Sequence, residues 1–272
     1  MAEGHIKKMQ AILGESVEYS LPIGDELVPL NPYLGKPIKL THLGDIHCSN
    51  CGKKTKKSYS QGFCYPCMMK LPQCDLCIMK PETCHYHLGT CRDPKWGEDF
   101  CFQDHIVYLA NSSGLKVGIT RHTQIPTRWI DQGATQALPI FKVKTRLQSG
   151  QVEMALKQYV GDKTDWRKML KGQAEAKDLL QERDRLLAEA ESELNAIQAK
   201  NKVGDIELLT NAKQVDINFP VLEYPEKIKS FNFDKTPEIE GVLLGIKGQY
   251  LILDSGVLNI RKFTSYNLRF DA

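Results

Sequence analysis

Two Cys-x-x-Cys pairs separated by twelve residues constrain this chain more than any other feature, Cys48 with Cys51 and Cys64 with Cys67. Each pair places two thiolates on a knuckle whose backbone N–H groups point at the sulfur atoms, and the intervening residues fold back as a hairpin. The spacing predicts a zinc ribbon in which four thiolates complete the coordination shell. Such a closed site stabilises the fold and leaves no open position for catalysis.

A second cysteine-rich stretch covers residues 74–101, and it offers more ligands than one tetrahedral site needs. The candidates are Cys74, Cys77, Cys84, His85, His87, Cys91 and Cys101. We predict a second zinc ion bound by Cys74, Cys77, Cys84 and Cys91, with His87 or Cys101 as alternative ligands, because spacing alone does not choose among them. We expect His85 to support the site or to lie on a surface turn. A catalytic zinc ion with three protein ligands would need a supporting carboxylate, and none has an obvious place here.

The cysteine count and the N-terminal sequence indicate the compartment. Nine cysteines is an odd number, and the first fifteen residues carry neither a long apolar run nor a small-residue cleavage site. These features argue against a disulfide framework and favour metal ligation. No stretch approaches the ~20 apolar residues of a membrane span. We therefore expect a soluble cytoplasmic protein without a membrane partner, and the sequence leaves its oligomeric state open.

The segment 105–160 begins with a β-hairpin and a helix. Two runs rich in β-branched and aromatic residues flank the four-residue loop 111–114, which is the pattern of a hairpin. A helix from about Pro126 to Gln132 follows, because proline suits the first helical turn and Gly133 is a common stop.

The same segment ends with a third strand and a second helix. Apolar and polar side chains alternate after Pro139, as in a strand with one solvated face. Ser149 is the expected cap of the final helix, and Glu153 is expected near the start of that helix. The predicted order is strand, strand, helix, strand, helix.

This order, with these residues, resembles the GIY-YIG nuclease superfamily. Ile106-Val107-Tyr108 is similar to the first signature triplet, and Lys116-Val117-Gly118 is similar to the second. Arg128 is similar to the arginine of the first helix, and Glu153 to the metal-binding glutamate of the later helix. The resemblance covers roughly a quarter of the chain. It implies phosphodiester hydrolysis by Tyr108, Lys116, Arg128 and Glu153, with a Mg²⁺ ion at Glu153.

The residue types suit that chemistry, with one departure. A phenol such as Tyr108 can position or deprotonate a water, and the guanidinium of Arg128 offers a planar fork to a phosphate. A single carboxylate, Glu153, suits a Mg²⁺ ion that keeps most of its waters. Lys116 stands where the superfamily usually has its second tyrosine. Lysine binds phosphate as a point charge, and it becomes a general base only when burial lowers its pKa.

Positive charge is concentrated in the same part of the chain. The whole chain has a net charge of +3, whereas residues 105–171 contain eleven Lys and Arg and four Asp and Glu, a net charge of +7. Residues 172–200 have a net charge of −3. This distribution predicts a polyanion-binding surface on one module. The candidate contacts to DNA or RNA are Lys53, Lys54, Lys56 and Lys57 in the ribbon, and Lys116, Arg121 and Arg128 in the core.

The remaining segments complete an α+β protein. Residues 162–165 are predicted to be a polar helix start before Trp166. Residues 172–200 are predicted to form one long amphipathic helix, and residues 205–211 a short one. Strands are expected in 17–23, 36–43 and 239–270, where Asp254-Ser255-Gly256 marks a hairpin. We expect the strands at the two ends of the chain to form one small sheet or a barrel.

Five parts are therefore predicted: N-terminal strands 1–44, zinc modules 45–104 (ribbon 48–67, second cluster 74–101), a ββαβα core 105–171, a helical segment 172–218 and a C-terminal β module 219–272. This layout resembles a bacterial family of unassigned function. The stretches CHYHLGTCRDPKWG, YLANSSGLKVGITR, TRWIDQGA and GIKGQYL carry that wider resemblance, which says nothing about substrate.

The leading functional prediction is a metal-dependent endonuclease or processing enzyme that hydrolyses phosphodiester bonds in DNA or RNA. The alternative is a zinc-dependent DNA- or RNA-binding adaptor whose core does not cut. A third hypothesis is a protein-interaction scaffold that uses the acidic helix. Convergence of Tyr108, Lys116, Arg128 and Glu153 on one cleft would favour the enzyme.

Overall fold

The computed structural model describes residues 1–160 and 165–272, and within them it contains fourteen strands and eight α-helices. The strands are β1 (Ala2–His5), β2 (Gln10–Ile12), β3 (Glu18–Ile23), β4 (Glu26–Pro29), β5 (Pro37–Ile46), β6 (His105–Asn111), β7 (Leu115–Arg121), β8 (Gln136–Val143), β9 (Ile206–Leu208), β10 (Val215–Asp216), β11 (Glu238–Lys247), β12 (Tyr250–Leu253), β13 (Gly256–Asn259) and β14 (Tyr266–Asp271). The helices are α1 (Tyr65–Lys70), α2 (Leu76–Met79), α3 (Pro94–Cys101), α4 (Thr127–Asp131), α5 (Arg146–Leu156), α6 (Trp166–Leu170), α7 (Leu179–Glu189) and α8 (Glu191–Gln198).

Strand β6 is the centre of an antiparallel sheet with the order β10-β8-β6-β7, and β9 pairs with β8. Every residue of β6 is buried, because strands flank it on both sides and other layers cover both faces. The elements β6, β7, α4, β8 and α5 follow one another along the chain. The predicted order of strand, strand, helix, strand, helix is confirmed.

The two faces of this sheet pack against different layers. Val107 and Leu109 belong to the apolar cluster that α5, α7 and α8 cover. Ile106 and Tyr108 point to the other side, where they share a cluster with Trp129 of α4 and with the remaining sheets. Alternate residues of one strand therefore serve both layers, as the two-residue period of a strand requires. The cleft described below opens beside this second layer.

The two ends of the chain form one six-stranded sheet with the order β1-β14-β5-β11-β12-β13. The predicted pairing of N-terminal with C-terminal strands is confirmed. Of the two predicted arrangements, a sheet or a barrel, the structure shows an open sheet. Its edges are covered by other segments: Ile6 bridges to Ile23 next to β1, and Ser230 bridges to Val257 in β13. Because both edges already have partners, they need not pair with each other.

The first N-terminal strand signal belongs to a separate sheet. Strand β3 pairs with β2 and β4 in a three-stranded antiparallel sheet. Its buried residues Tyr19, Leu21 and Ile23 belong to the same apolar cluster as the six-stranded sheet. Packing against that sheet and the bridge between Ile23 and Ile6 therefore hold β3 in place.

The prediction of one long helix over residues 172–200 was wrong. Helix α7 begins at Leu179, where the Asp178 carboxylate accepts hydrogen bonds from two backbone N–H groups, and Ala190 separates α7 from α8. Residues before Asp178 hydrogen-bond to the core sheet: the Glu175 carbonyl accepts from Asn111, and the Lys177 N–H donates to Gln136. These tertiary hydrogen bonds outweigh the helical pattern of the local sequence.

Two further local predictions were wrong. The segment predicted as a short helix at residues 205–211 contains strand β9, which pairs with the exposed edge of β8. Helix α5 begins at Arg146, so Ser149 is inside it and Thr145 is its cap. Thr145 and Gln148 form a reciprocal capping box, which satisfies two N–H groups where Ser149 would satisfy one.

Of the polar start predicted for α6, Asp165 is the N-cap and residues 162–164 lie outside the described residues.

Candidate nucleic-acid cleft and metal clusters

A cleft of about 350 Å³ opens between β7, α4, α5 and the second cysteine-rich segment. Lys116, Arg128 and Glu153 line it, although they come from three different elements. Arg121 at the end of β7 lines it as well. The structure therefore brings four of the residues predicted from sequence to one place.

The cleft is strongly basic. Six cationic side chains and two carboxylates line it, which gives a net charge of +4 with all of them ionised. The cations are Lys8, Lys116, Arg121, Arg128, Arg146 and Arg261, and the carboxylates are Asp131 and Glu153. A concave surface of one charge sign concentrates counter-ions of the opposite sign, so this cleft favours a polyanion.

Lys116 is buried in β7 with its side chain directed to the cleft. Its pKa is lowered to about 8, mainly by burial and also by the Arg128 guanidinium, while the Glu153 carboxylate partly opposes the shift. A lysine in this environment is partly neutral just above neutral pH. Lysine can act as a general base only when burial lowers its pKa, and Lys116 meets this condition.

Tyr108 is placed behind the cleft wall. It is fully buried, its ring contacts Trp129 edge to face at 5.9 Å, and it lies under Gly118 of β7. A Cβ atom at Gly118 would approach the Tyr108 hydroxyl to 2.8 Å, so glycine is needed for this close approach. Burial raises the pKa of Tyr108, and nearby Arg128 and Gln132 only partly oppose the shift. In this arrangement the phenol has no contact with solvent water.

Helix α4 contributes Arg128 and Asp131 to the lining of the cleft. The Asp131 carboxylate accepts hydrogen bonds from Lys8 at 2.7 Å and from Gln249 at 2.8 Å, and Arg261 is 3.9 Å away. Because three side chains from both ends of the chain hold it, this carboxylate is part of the scaffold. It positions two of the cations, Lys8 and Arg261, at the rim of the cleft.

Helix α5 contributes Arg146 and Glu153. Glu153 lies two turns inside the helix, not near its start, because Thr145 is the cap. Favourable interaction with the helix dipole therefore does not explain this glutamate. Arg146 donates a hydrogen bond to the Ile78 carbonyl, and burial lowers its pKa while the thiols of Cys101 and Cys77 oppose the shift. Arg146 thus connects the cleft to the second cysteine-rich segment.

The first cysteine cluster has the geometry of a zinc site. The Sγ atoms of Cys48, Cys51, Cys64 and Cys67 all lie within 4.8 Å of one another. Burial raises the pKa of Cys48, but backbone N–H groups of Cys64, Cys51 and Asn50 lower it to about 6. Four thiolates at this spacing can hold a zinc ion. The group can serve as a structural site, and it lies apart from the residues that line the cleft.

The ribbon around this cluster is anchored to the six-stranded sheet. The hydroxyls of Ser49 and Ser265 lie 2.6 Å apart, and Ser58 donates to the Thr264 carbonyl at 2.8 Å. The lysines predicted to contact nucleic acid project from the ribbon and are exposed: Lys53, Lys54, Lys56 and Lys57. Lys54 forms an ion pair with Asp45. These four side chains do not line the cleft.

The second cysteine-rich segment surrounds a small cavity. Cys77, Cys84, Cys91 and Cys101 line it, and His85 also reaches it. Cys74, which was predicted as a ligand, does not line this cavity, and the alternative ligand His87 is exposed. Among the described residues, Asp75, Cys77 and His85 form a second group with ligand atoms within 4.8 Å.

Three cleft residues were missed by sequence reasoning, namely Lys8, Arg146 and Arg261. Lys8 and Arg261 come from opposite ends of the chain, and the packing of the six-stranded sheet beside α4 brings them together. Arg146 carried a detectable signal, because it lies seven residues before Glu153 and so on nearly the same face of one helix.

The fold and the site together define an α+β protein with a four-cysteine cluster that fits zinc and a basic cleft on an antiparallel sheet. The chain belongs to the family described as "Protein of unknown function (DUF2797)", whose model matches residues 35–268. No significant match was found among curated proteins or among solved structures. The comparisons do not connect the chain to the GIY-YIG nucleases, so that relationship stays a prediction. In the part of the chain that the structure describes, each helix is too short or too polar to cross a membrane.

Proposed function

We propose that this protein binds the phosphodiester backbone of a nucleic acid in the basic cleft and hydrolyses it with the residue set of a GIY-YIG nuclease. The observation that carries the proposal is the convergence of Lys116, Arg128 and Glu153 on one cleft. These residues lie 12 and 25 positions apart in sequence, on a strand and two helices. Their electrostatic effect on one another supports a shared site.

In the proposed reaction Lys116 takes the role of general base. Its lowered pKa leaves a useful neutral fraction near pH 8, and it lines the cleft where a water can reach it. Tyr108 is a weaker candidate for this role because it is buried and its pKa is raised. We assign Tyr108 to positioning: its ring supports Gly118, and its hydroxyl lies beside Arg128.

Arg128 and Arg146 would bind the phosphate. Guanidinium groups offer two parallel N–H donors to phosphate oxygens and stay charged over the whole working pH range. Arg146 is held by the Ile78 carbonyl, so it is ordered before the ligand arrives. Lys8, Arg121 and Arg261 would contact neighbouring phosphates along the strand.

Glu153 is the cleft carboxylate proposed to bind a Mg²⁺ ion, because it lines the cleft at the position that resembles the metal-binding glutamate of the superfamily. One carboxylate fits an ion that keeps most of its water ligands. When bound there, Mg²⁺ would neutralise charge on the phosphate oxygens and the leaving group. The surrounding cations disfavour a free Mg²⁺ ion, so the metal would be retained together with the polyanion.

A second candidate function is binding without cleavage, as an RNA- or DNA-associated adaptor. The observation that favours it is the charge balance: six cationic side chains and two carboxylates line the cleft. A cleft of this kind binds phosphates well even when no hydrolysis follows.

The experiment that tests cleavage uses purified protein with labelled DNA and RNA, with and without Mg²⁺. Glu153→Gln is compared with Glu191→Gln, which removes an exposed carboxylate from α8. We expect Mg²⁺-dependent cutting that falls on the order of 100-fold in Glu153→Gln and is unchanged in Glu191→Gln. Cutting without Mg²⁺, or cutting that persists in Glu153→Gln, would contradict the mechanism. Tight binding with no cutting by the wild-type protein would establish the adaptor instead.

A further inference from the structure

The second cysteine-rich segment encloses a cavity of about 20 Å³. This volume holds one water-sized particle. Four thiols line the cavity from separate elements: Cys77 in α2, Cys84 after the turn Pro81–Thr83, Cys91 in a loop and Cys101 at the end of α3. The four sulfur atoms are more widely spaced than those of the first cluster, which all lie within 4.8 Å of one another.

Cys74 is excluded from this set by its position. It ends the turn Pro72–Cys74, and it interacts with Ser60 and with Cys48 of the first cluster. Its partner in the Cys-x-x-Cys pair, Cys77, is instead surrounded by Asp75, Cys84, Cys101 and Cys91. The pair therefore does not act as one knuckle, although its spacing suggested that it would.

Asp75 and His85 also approach Cys77 but already have other partners. Asp75 forms an ion pair with Arg92 at 2.7 Å and accepts from the Cys77 backbone N–H. His85 interacts with Thr90 at 2.8 Å and with Asp75 at 3.5 Å. The three residues Asp75, His85 and Arg92 thus form a polar network beside the thiols, as the outer layer of a metal site does.

We propose that Cys77, Cys84, Cys91 and Cys101 bind a second zinc ion as four thiolates. Binding releases the thiol protons and draws the four sulfur atoms together around the ion. Four thiolates on Zn²⁺ carry a net charge of −2, and Arg92 and Arg146 stand beside the cluster to balance it. This proposal does not depend on the proposed function.

The same ion would hold one wall of the cleft. Pro81 and Glu82, just before Cys84, are packed so closely on α5 that a Cβ atom at Gly150 would lie 2.6 Å from the Glu82 nitrogen. Ile78, Met79 and Pro81 line the cleft between the cysteines and α5. Cys101 ends α3 a few residues before β6 begins. A metal ion at this place therefore ties the segment 77–101 to the core sheet.

Zinc content of the purified full-length protein tests the proposal. We expect two zinc ions per chain in the wild type, two in Cys74→Ser, two in His85→Ala and one in Cys101→Ser. One zinc ion in the wild type, loss of an ion in Cys74→Ser or His85→Ala, or two ions in Cys101→Ser would overturn it.

A second measurement covers the case in which Cys101→Ser does not fold. Wild type, Cys74→Ser and His85→Ala are loaded with Co²⁺, whose visible spectrum reports the number of sulfur ligands. We expect three identical spectra with two all-sulfur sites. A loss of sulfur-to-cobalt intensity in Cys74→Ser, or a spectral shift in His85→Ala, would assign the site to other ligands and overturn the proposal.

Discussion

At the scale of single residues, burial shifts the pKa values of Tyr108 and Lys116 in opposite directions. The sequence identifies both, because their triplets and spacing resemble a known superfamily. Their protonation behaviour is a property of the folded environment: Tyr108 is sealed under Gly118 with a raised pKa, and Lys116 faces the cleft with a pKa lowered to about 8. Sequence patterns do not report desolvation, so this part of the site needed the structure.

The lowered pKa of Lys116 predicts a pH profile for cleavage. In the proposed mechanism the neutral amine is the base, and its fraction rises with pH until it saturates above the pKa of about 8. We therefore expect kcat/KM to increase about tenfold per pH unit below that value and to level off above it. Lys116→Arg should remove the rise and lower cleavage on the order of 100-fold, because arginine does not deprotonate.

Nucleic-acid binding by Lys116→Arg is the control, since the cationic charge is retained. Equal affinity with lost cleavage supports the assignment. A flat pH profile in the wild type, or full activity in Lys116→Arg, would show that Lys116 is not the base.

At the scale of elements, α5 is the part that connects the cleft to the second cysteine-rich segment. It carries Arg146 and Glu153 toward the cleft, and Gly150 allows the turn Pro81–Thr83 to approach it. The sequence predicted this helix but placed its cap at Ser149, because a local capping signal was present at both positions. The prediction of a helix over residues 205–211 was wrong because this segment pairs with β8 as a strand.

Gly150→Ala tests the contact between α5 and the cysteine-rich segment. Alanine normally stabilises an exposed helix interior by about 1 kcal/mol relative to glycine. Here the added Cβ atom would lie 2.6 Å from the Glu82 nitrogen and 2.9 Å from the Pro81 carbonyl carbon, both of which are backbone atoms of the facing turn. We expect the free energy of unfolding to fall by about 1–3 kcal/mol, measured by urea denaturation.

Gly172→Ala is the matched control, because nothing lies within 4 Å of its added Cβ atom. Its stability should be unchanged or slightly raised. If Gly150→Ala is as stable as Gly172→Ala, the close packing of α5 on the turn is contradicted.

At the scale of the whole molecule, strands from both ends of the chain pair in one sheet, and the strands between them form the core sheet. The order of strands and helices along the core followed from local turn and helix-end signals, and the pairing of the two chain ends followed from strand signals that lacked a nearby partner. The arrangement of Lys8 and Arg261 around Asp131 could not be predicted, because it depends on how the six-stranded sheet packs against α4. The convergence of cationic side chains from different elements on the cleft likewise depends on tertiary packing.

Removal of zinc should therefore have a local effect on the ribbon and leave the core sheet intact. Three hydrogen bonds between the ribbon and the rest of the chain run to residues 264 and 265, whereas β6 is buried on both faces. After treatment with a chelator, we expect amide hydrogen exchange to accelerate in residues 48–67 and to stay slow in β6. Equal acceleration in β6 would show that the metal supports the whole fold.

The central claim is that the cleft binds a phosphodiester backbone, and the affinity for a labelled oligonucleotide at several salt concentrations tests it most directly. The double variant Arg121→Gln with Arg128→Gln is compared with Arg183→Gln with Arg185→Gln on α7, which removes the same charge elsewhere. We expect the Kd to rise at least ~10-fold and the salt dependence to weaken by about two ions in the cleft variant alone. Equal losses in both variants, or no loss in either, would contradict the claim.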